Sequence, residues 1–553
     1  MDRDHKPFSV RAGRAFDSVL SIIAPRRALQ NEMCRELRAM AIGSYRGAST
    51  DRQMGDWLPG GGSADADLLW DLPRLRERSR DLVRNDGAAA GVIRTMVDSV
   101  IGTGHRPQSL LSWEELGIAE AAADTLQTDA ERIWSRWVQQ ADASGHGDFY
   151  DLQALAYRQY LENGDTIVLP VMLPTGPGRD FSLAFQVVEA DRLATPTDKL
   201  GDNDLIREGV EIGYYGQPLA YWIRKSHPGD VTYSGRWKAG TSQDFVRIQA
   251  RNRFGRPNAI HLFRQLRAHQ SRGVPILAPT LVVFRHLNQY LEAELMAARI
   301  AACYALLIRS DNPVAWGTNT ASSTDADGKR LEKLRPGMIE YLRPGETTES
   351  FAPNRPNSGM DTFVKGLMRQ IAVATGNTYS QVSGDFSQSS YIVERIAQLG
   401  ARRGYAADRR WFDATFSQLA WEMMLEEAWL RGQWAAGSDF YGQRQAWTRC
   451  TWLPPGQPWA DPENEGKAAE LALRNNLTTY SREIQQLTGM TGEEMFLQLN
   501  RDRTLARKLD LPLPDDLPNP GGATSATKTA TARSASESPK SAKSADSSLE
   551  VQR

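Results

Sequence analysis

The chain has 553 residues, with 66 Lys and Arg against 67 Asp and Glu, three Cys, and a hydrophobic fraction of 41%. That length allows three or four structural units at a typical ~100–200 residues each, and it excludes a miniprotein stapled by disulfides. A mean hydropathy of -0.48, with no apolar run near the ~18 residues needed to cross a bilayer, excludes a helical integral membrane protein. The balanced charge excludes a strongly basic chain that binds nucleic acid by releasing counterions.

Residues 1–40 interleave Lys6, Arg11, Arg14, Arg26 and Arg27 with Phe8, Val10, Phe16, Val19, Leu20, Ile22 and Ile23, which reads as an amphipathic arm. Asp2, Asp4 and Asp17 are out of place in a transit peptide. After a loose stretch from Gly43 to Gly62, helical periodicity runs from Asp65 through Leu82 and Val83. It resumes at Val92 and ends at the Gly102-Thr-Gly104 turn. Further helices are predicted over Trp113–Gln140 and Leu152–Asn163. The pattern then shifts to period two at Ile167–Leu173, Phe181–Val188, Tyr221–Lys225 and Ala259–Arg264, separated by Gly, Pro and Asp turns, which predicts a β-rich middle region.

Past the breakers of Gly273–Pro279, one long helix is predicted over Thr280–Ile308, about 40 Å long at ~1.5 Å per residue. Its apolar residues include Leu287, Leu291 and Leu295, and small Ala298 and Ala302 leave room for close neighbours. Side-by-side packing with copies of itself is expected through these five. Short strands and turns follow from Asp311 to Ser358, then a helix over Asp361–Thr375. Gly376–Ser390 is polar and flexible in composition. Helix is predicted from Tyr391 to Leu430 with a break near Gly404, and Trp411 and Trp421 read as core. Three more helices are expected at Asp461–Asn475, Thr478–Leu487 and Glu493–Leu509. Pro518–Arg553 is Ala, Ser, Thr and Lys with almost no large apolar residue, so it is expected to be disordered.

Motifs of catalysis are missing from the sequence. Asp327-Gly-Lys-Arg330 lacks the upstream glycine and the hydroxyl of a phosphate loop, and Gly102-Thr-Gly-His-Arg-Pro107 has Pro where a dinucleotide fingerprint needs Gly. There is no G-x-S-x-G and no H-E-x-x-H. Cys34, Cys303 and Cys450 stand far apart, as reduced thiols would, and the seven His show no metal-ligand spacing. Neither a cofactor nor a metal is expected. Glu189, Asp191, Glu208 and Glu211 are the acids nearest to an acid/base pair, against the more ordinary reading of a solvated surface. The run from Ser380 to Ser390 has many small polar side chains and no Lys or Arg.

Several stretches resemble the portal proteins of lambda-like tailed bacteriophages. They are Tyr45-Arg-Gly-Ala48, Leu75–Asn85 with Ile101–Gly104, Val188–Leu193, Gly209-Val-Glu211, His261–Arg264, Arg272–Pro275, Leu277-Ala-Pro279, Leu334–Gly337, Gly384–Ser387 and Trp459–Pro462. They run collinearly over about residues 40–510. One departure follows Tyr391, where Ile392-Val393-Glu394 stand in place of the small hydroxyl residues expected before Arg395.

The resemblance implies an α+β, multi-domain portal fold that assembles into a ring, usually of twelve subunits, around a central channel. Along the chain it implies an arm (1–40), a wing (41–279), a first stem helix (280–310), a clip (311–360) and a second stem helix (361–375). A tunnel loop (376–390), a helical return to the wing (391–460), a crown (461–510) and a disordered tail (511–553) complete it. The ring would stand at one capsid vertex of the virion, assembled in the host cytoplasm. Double-stranded DNA would pass through it in transit without sequence specificity, packaged by the terminase large subunit and later ejected toward the tail. A head-tail connector, the major capsid protein and scaffold proteins would be its other partners, with no membrane. On this resemblance Gln381, Ser383, Gly384, Asp385, Phe386, Ser387 and Gln388 would line the constriction, and the protein would not be an enzyme. The alternatives are a capsid or connector scaffold that never touches DNA, and a carboxylate-dependent hydrolase.

Overall fold

The computed structural model describes residues 56–201, 205–230, 240–303, 307–310, 346–349, 359–387, 390–459 and 461–511. The expected arm, most of the Asp311–Ser358 segment and the expected tail beyond Leu511 lie outside the described residues. The chain divides into two units, Met1–Trp70 and Asp71–Arg553. Among the described residues of the first, a short helix, α1 (Ala64–Leu68), starts at Ser63, whose hydroxyl accepts the Ala66 N–H at 3.2 Å.

The second unit is α+β. Pro73 at its first turn opens α2 (Leu72–Asn85), and Asp86 caps α3 (Gly87–Val100), so the periodicity that begins at Asp65 is cut into three helices by capping residues. Strand β1 (Arg106–Ser109) precedes a single turn, Trp113–Leu116, which Gly117 ends at φ 65°. The continuous helix expected there is therefore two pieces, the longer being α4 (Glu120–Trp137). A capping box of Asp148 and Asp151 starts α5 (Phe149–Asn163).

The β-rich region is two sheets. Strands β2 (Asp165–Met172) and β3 (Leu183–Val188) pair with β8 (Ile260–Phe263) in the order β3-β2-β8. Between β3 and β8 the chain makes an antiparallel meander of β4 (Ile206–Arg207), β5 (Val210–Ile212), β6 (Pro218–Arg224) and β7 (Phe245–Gln249). The long helix α6 (Leu281–Cys303) is shorter than its sequence pattern, because Leu307–Ser310 forms β9, paired antiparallel with β10 (Glu346–Glu349). Then come α7 (Met360–Thr375), α8 (Tyr379–Ser383) and α9 (Tyr391–Phe412). The break expected near Gly404 does not occur. The irregularity is a π-turn at Asp413–Ser417, leading into α10 (Gln418–Leu430). Strand β11 (Cys450–Leu453) returns to pair with β1, Arg106 opposite Leu453. The last helices among the described residues are α11 (Pro462–Arg474), α12 (Tyr480–Thr488) and α13 (Gly492–Lys508).

The main core is aromatic. Trp134 and Trp137 of α4, Phe149 of α5, Phe185 of β3, Phe412 of α9, Phe416 of the π-turn and Trp421 of α10 are all buried in one cluster. Their rings pack mostly tilted or edge-on, with Trp134 and Phe149 at 4.9 Å and Phe149 and Phe416 at 5.3 Å. The Trp137 indole N–H donates to the Leu183 carbonyl at 3.0 Å, so its polar edge is satisfied as well. A smaller cluster of Ile167, Val188, Leu193, Val210, Tyr221 and Ile223 joins the two sheets.

A buried charge node fixes α2 and the segment before α6 to the start of β2. The Asp165 carboxylate accepts from Arg76 and from Arg272, each at 2.6 Å, and lies 3.2 Å from His261. Arg272 also donates to the carbonyls of Leu193, Glu208 and Ala190. Beside it, Gly273 and Gly164 cross so closely that a Cβ on Gly273 would sit 1.8 Å from the Gly164 oxygen. The ordered contact between β2 and the approach to α6 therefore needs glycine at this crossing.

Candidate functional site

The helix pair α6 and α7 and the turn that follows it position the residues expected to carry function. The first half of α6 is anchored, with Phe284 and Leu287 buried in the main core and Asn288 donating to Asp86 at 2.8 Å. Tyr290 and Phe363 join the two helices, their ring centroids 4.9 Å apart. Beyond that contact α6 exposes Leu291 at 38%, Leu295 at 52% and Met296 at 54%. Of the residues expected to pack between subunits, Leu287 is thus corrected. It is 2% exposed and filled against its own chain, whereas Leu291, Leu295 and Ala298 are open and Ala302 is described in its backbone alone.

The polar segment after α7 is more ordered than its composition suggests. Gly376 ends α7 at φ 73°, and Thr378 opens α8 with a capping box to Gln381. The Gln381 side-chain oxygen accepts from the Thr378 N–H at 3.0 Å, and it lies 3.1 Å from the Tyr405 hydroxyl, whose one proton it shares with the Asn377 side-chain oxygen at 2.6 Å. Ser380 pairs with Glu394 of α9. Ser383 donates to the Tyr379 carbonyl at 2.8 Å, and Gly384 takes the left-handed conformation that closes the helix, φ 67°.

Asp385 is the anchor of the tip. One carboxylate oxygen accepts from the Ser387 hydroxyl at 2.6 Å and the Ser387 N–H at 3.0 Å, and the other accepts from Tyr379 at 3.2 Å. These hydrogen bonds, Ser387 foremost, together with Lys365 at 3.7 Å, hold its pKa down at about 2. The flexible loop of the sequence pattern is thus a capped helical turn with an ionised aspartate beneath its tip. Gly384, Phe386 at 60% and Ser387 are exposed; Gln381, Ser383 and Asp385 are engaged internally; Gln388 lies outside the described residues. Sequence reasoning missed Lys365 and Arg369, which bring positive charge to a segment with none of its own. Arg369 lies over the Tyr379 ring at 5.4 Å. Their spacing of four on α7 is the signal that both share a face reaching this turn.

Two of the acids weighed for hydrolysis, Asp191 and Glu211, are held by cations. Burial alone would raise the Asp191 carboxyl, but Arg80 at 2.5 Å and Arg76 hold it below its ordinary value. Arg247, at 2.6 Å, and the Trp222 indole hold Glu211 down in the same way. Among the described residues no cluster of His, Cys, Asp or Glu could hold a metal ion, and no helix is long and apolar enough to cross a membrane. Burial pushes the Cys450 thiol well above its ordinary range.

Residues 50–409 match the family model described as phage portal protein, lambda family. The chain belongs to that family, and its function is that of a phage portal protein. Three curated relatives agree. It is 27% identical over 486 residues to the "Probable portal protein" of Halomonas phage phiHAP-1, covering 85% of this chain and 88% of that one. It is 28% identical to the "Portal protein" of Escherichia phage N15, with 81% and 87% covered, and 26% identical to "Portal protein B" of Escherichia phage lambda, with 84% and 89% covered. Among solved structures, the neck of a native gene transfer agent particle computed with C12 symmetry aligns over 82% of this chain and 98% of that one, with 14% identity and a TM-score of 0.40. The virion of a native gene transfer agent particle aligns over 75% and 93%, with 13% identity and a TM-score of 0.40.

Proposed function

We propose that the chain assembles as a ring, of twelve copies in the virion, whose central channel passes double-stranded DNA during packaging and ejection. In this reading α6 and α7 are the stem, residues 41–279 and 391–460 the wing, 311–360 the clip and 461–510 the crown. The terminase large subunit drives DNA inward while the ring forms in the host cytoplasm, and a head-tail connector with the major capsid and scaffold proteins completes the contacts.

The observation that carries this reading is the helix pair. One end of α6 is rooted in the core, and the rest leaves a row of Leu291, Leu295 and Met296 uncovered by its own chain. Such a row suits neighbours repeated around an axis. The turn after α7 suits the constriction, because each Lys or Arg paired with a phosphate adds a salt-dependent term that would retard sliding. Its exposed tip, Gly384, Phe386 and Ser387, offers no cation. A reconstruction of the assembled full-length chain tests the assignment: Phe386 and Ser387 face the axis if it is right, and a position on the outer wall sinks it.

A further inference from the structure

Two cavities share walls along α9. The larger, about 740 Å³, is lined by Arg395, Arg402 and Arg409 of α9, by Arg482 of α12, and by Trp459 between β11 and α11. The smaller, about 250 Å³, shares Arg402 and Arg409 with it and is bounded also by Gln381 and Tyr405. Four arginines and two glutamates, Glu465 and Glu483, line the larger cavity, an excess of two positive charges in a chain whose formal net charge is -1.

The partners of these arginines differ. Arg395 is paired with Glu465. Arg409 donates to the Ser99 carbonyl at 3.0 Å, and burial lowers its pKa, with Asp413 opposing that shift. Among the described residues no carboxylate lies within ion-pair distance of Arg402 or Arg482, both of which are exposed at the cavity's rim. The amides of Gln457, Gln485 and Gln486 line the same space. Trp459 supplies an aromatic wall, backed by Gly466, where a Cβ would stand 3.4 Å from the ring.

We infer that this cavity binds a phosphate ester of a nucleoside. Guanidinium forks match phosphate oxygens, amides can read the edge of a base, and an indole can lie along its face. The volume falls within the ~300–1,000 Å³ of small-ligand sites, which suits one or two nucleotides better than a folded partner. The same chemistry is carried by a DNA strand and by a free nucleoside phosphate. The inference rests on the portal reading only for which of these two reaches the site.

Fluorescence anisotropy on the full chain tests it, with a short fluorescein-labelled single-stranded oligonucleotide and a fluorescent ATP analogue as the two probes. At least one probe binds, and its identity names the source. In the double variant R402A/R482A binding weakens about tenfold or more, and the slope of log affinity against log salt falls by about two. The control R403A/R410A, exposed on the same helix and outside the cavity, binds as the parent does. Thermal melting confirms that both variants fold. Absence of binding by both probes, unchanged binding in R402A/R482A, or equal weakening in the control overturns the site. Negative-stain images of the same samples keep the two ideas apart. Rings with unaltered binding in R402A/R482A remove this site alone, whereas a parent that forms no rings contradicts the portal assembly and leaves the binding result standing.

Discussion

At the scale of single residues, Asp165 decides most. Burial alone would raise its carboxyl, but Arg272 and Arg76, with His261, overcome that and hold it well below the ordinary carboxylate range. A folded-state pKa below the unfolded one means that the node stabilises above about pH 4 and that this contribution is lost as pH falls. Asp165→Asn leaves buried Arg272 without its counter-charge and Arg76 with only the 3.7 Å pair to Asp191, and it is expected to cost about 3–5 kcal/mol in denaturant unfolding. Against a total of ~5–15 kcal/mol that is a large share. The variant should also lose part of the acid dependence of the parent, and an unchanged midpoint would sink this account of the node. Gln381→Ala removes the capping box of α8 and a partner of Tyr405, an expected loss of about 1 kcal/mol. Phe386→Ser touches neither and should leave stability within about 0.5 kcal/mol. Paired unfolding curves would check the difference.

At the scale of elements, α6 separates two roles along one helix. Leu287→Ala opens a hole in the core and should cost about 2–5 kcal/mol. Leu291→Asp with Leu295→Asp alters a face uncovered in the single chain, so the fold should melt much as the parent does. Ring assembly, read by analytical ultracentrifugation, should fail. Rings that persist in that double variant would show that this face is not the subunit contact.

The elements also mark what the sequence makes legible. The helices α7, α9, α10 and α11–α13 lie close to their periodic apolar patterns. Strands β4 and β5, two and three residues long, carry too little pattern to stand out. The pairing of β1 with β11 joins Arg106 to Leu453, a separation that no local signal spans. Gly404 reads as a breaker but sits inside α9, whose later residues Tyr405 and Phe412 are buried in the core. At the site, the small polar side chains of Ser380–Ser387 were legible as a class. Their division into a tethered turn and an exposed tip was not, because it depends on Tyr405, Glu394 and Lys365 arriving from other helices.

At the scale of the whole molecule, the near-equal 66 basic and 67 acidic residues take on a different meaning. Balanced charge argues against tight DNA binding, and a ring through which DNA slides has no use for it. Arg402 and Arg482, without an ion-pair partner among the described residues, are then a local exception to this balance, in a cavity whose lining does not include the exposed tip of Gly384–Ser387. The central claim is that many copies of this chain close around a channel with that tip at its narrowest point. A cryo-electron microscopy reconstruction of the purified full-length protein tests it most directly. A closed ring, with Phe386 and Ser387 nearest the axis and Leu291 and Leu295 between neighbouring subunits, is the result the account predicts. Discrete monomers, or a ring with those residues on its outer wall, would contradict it.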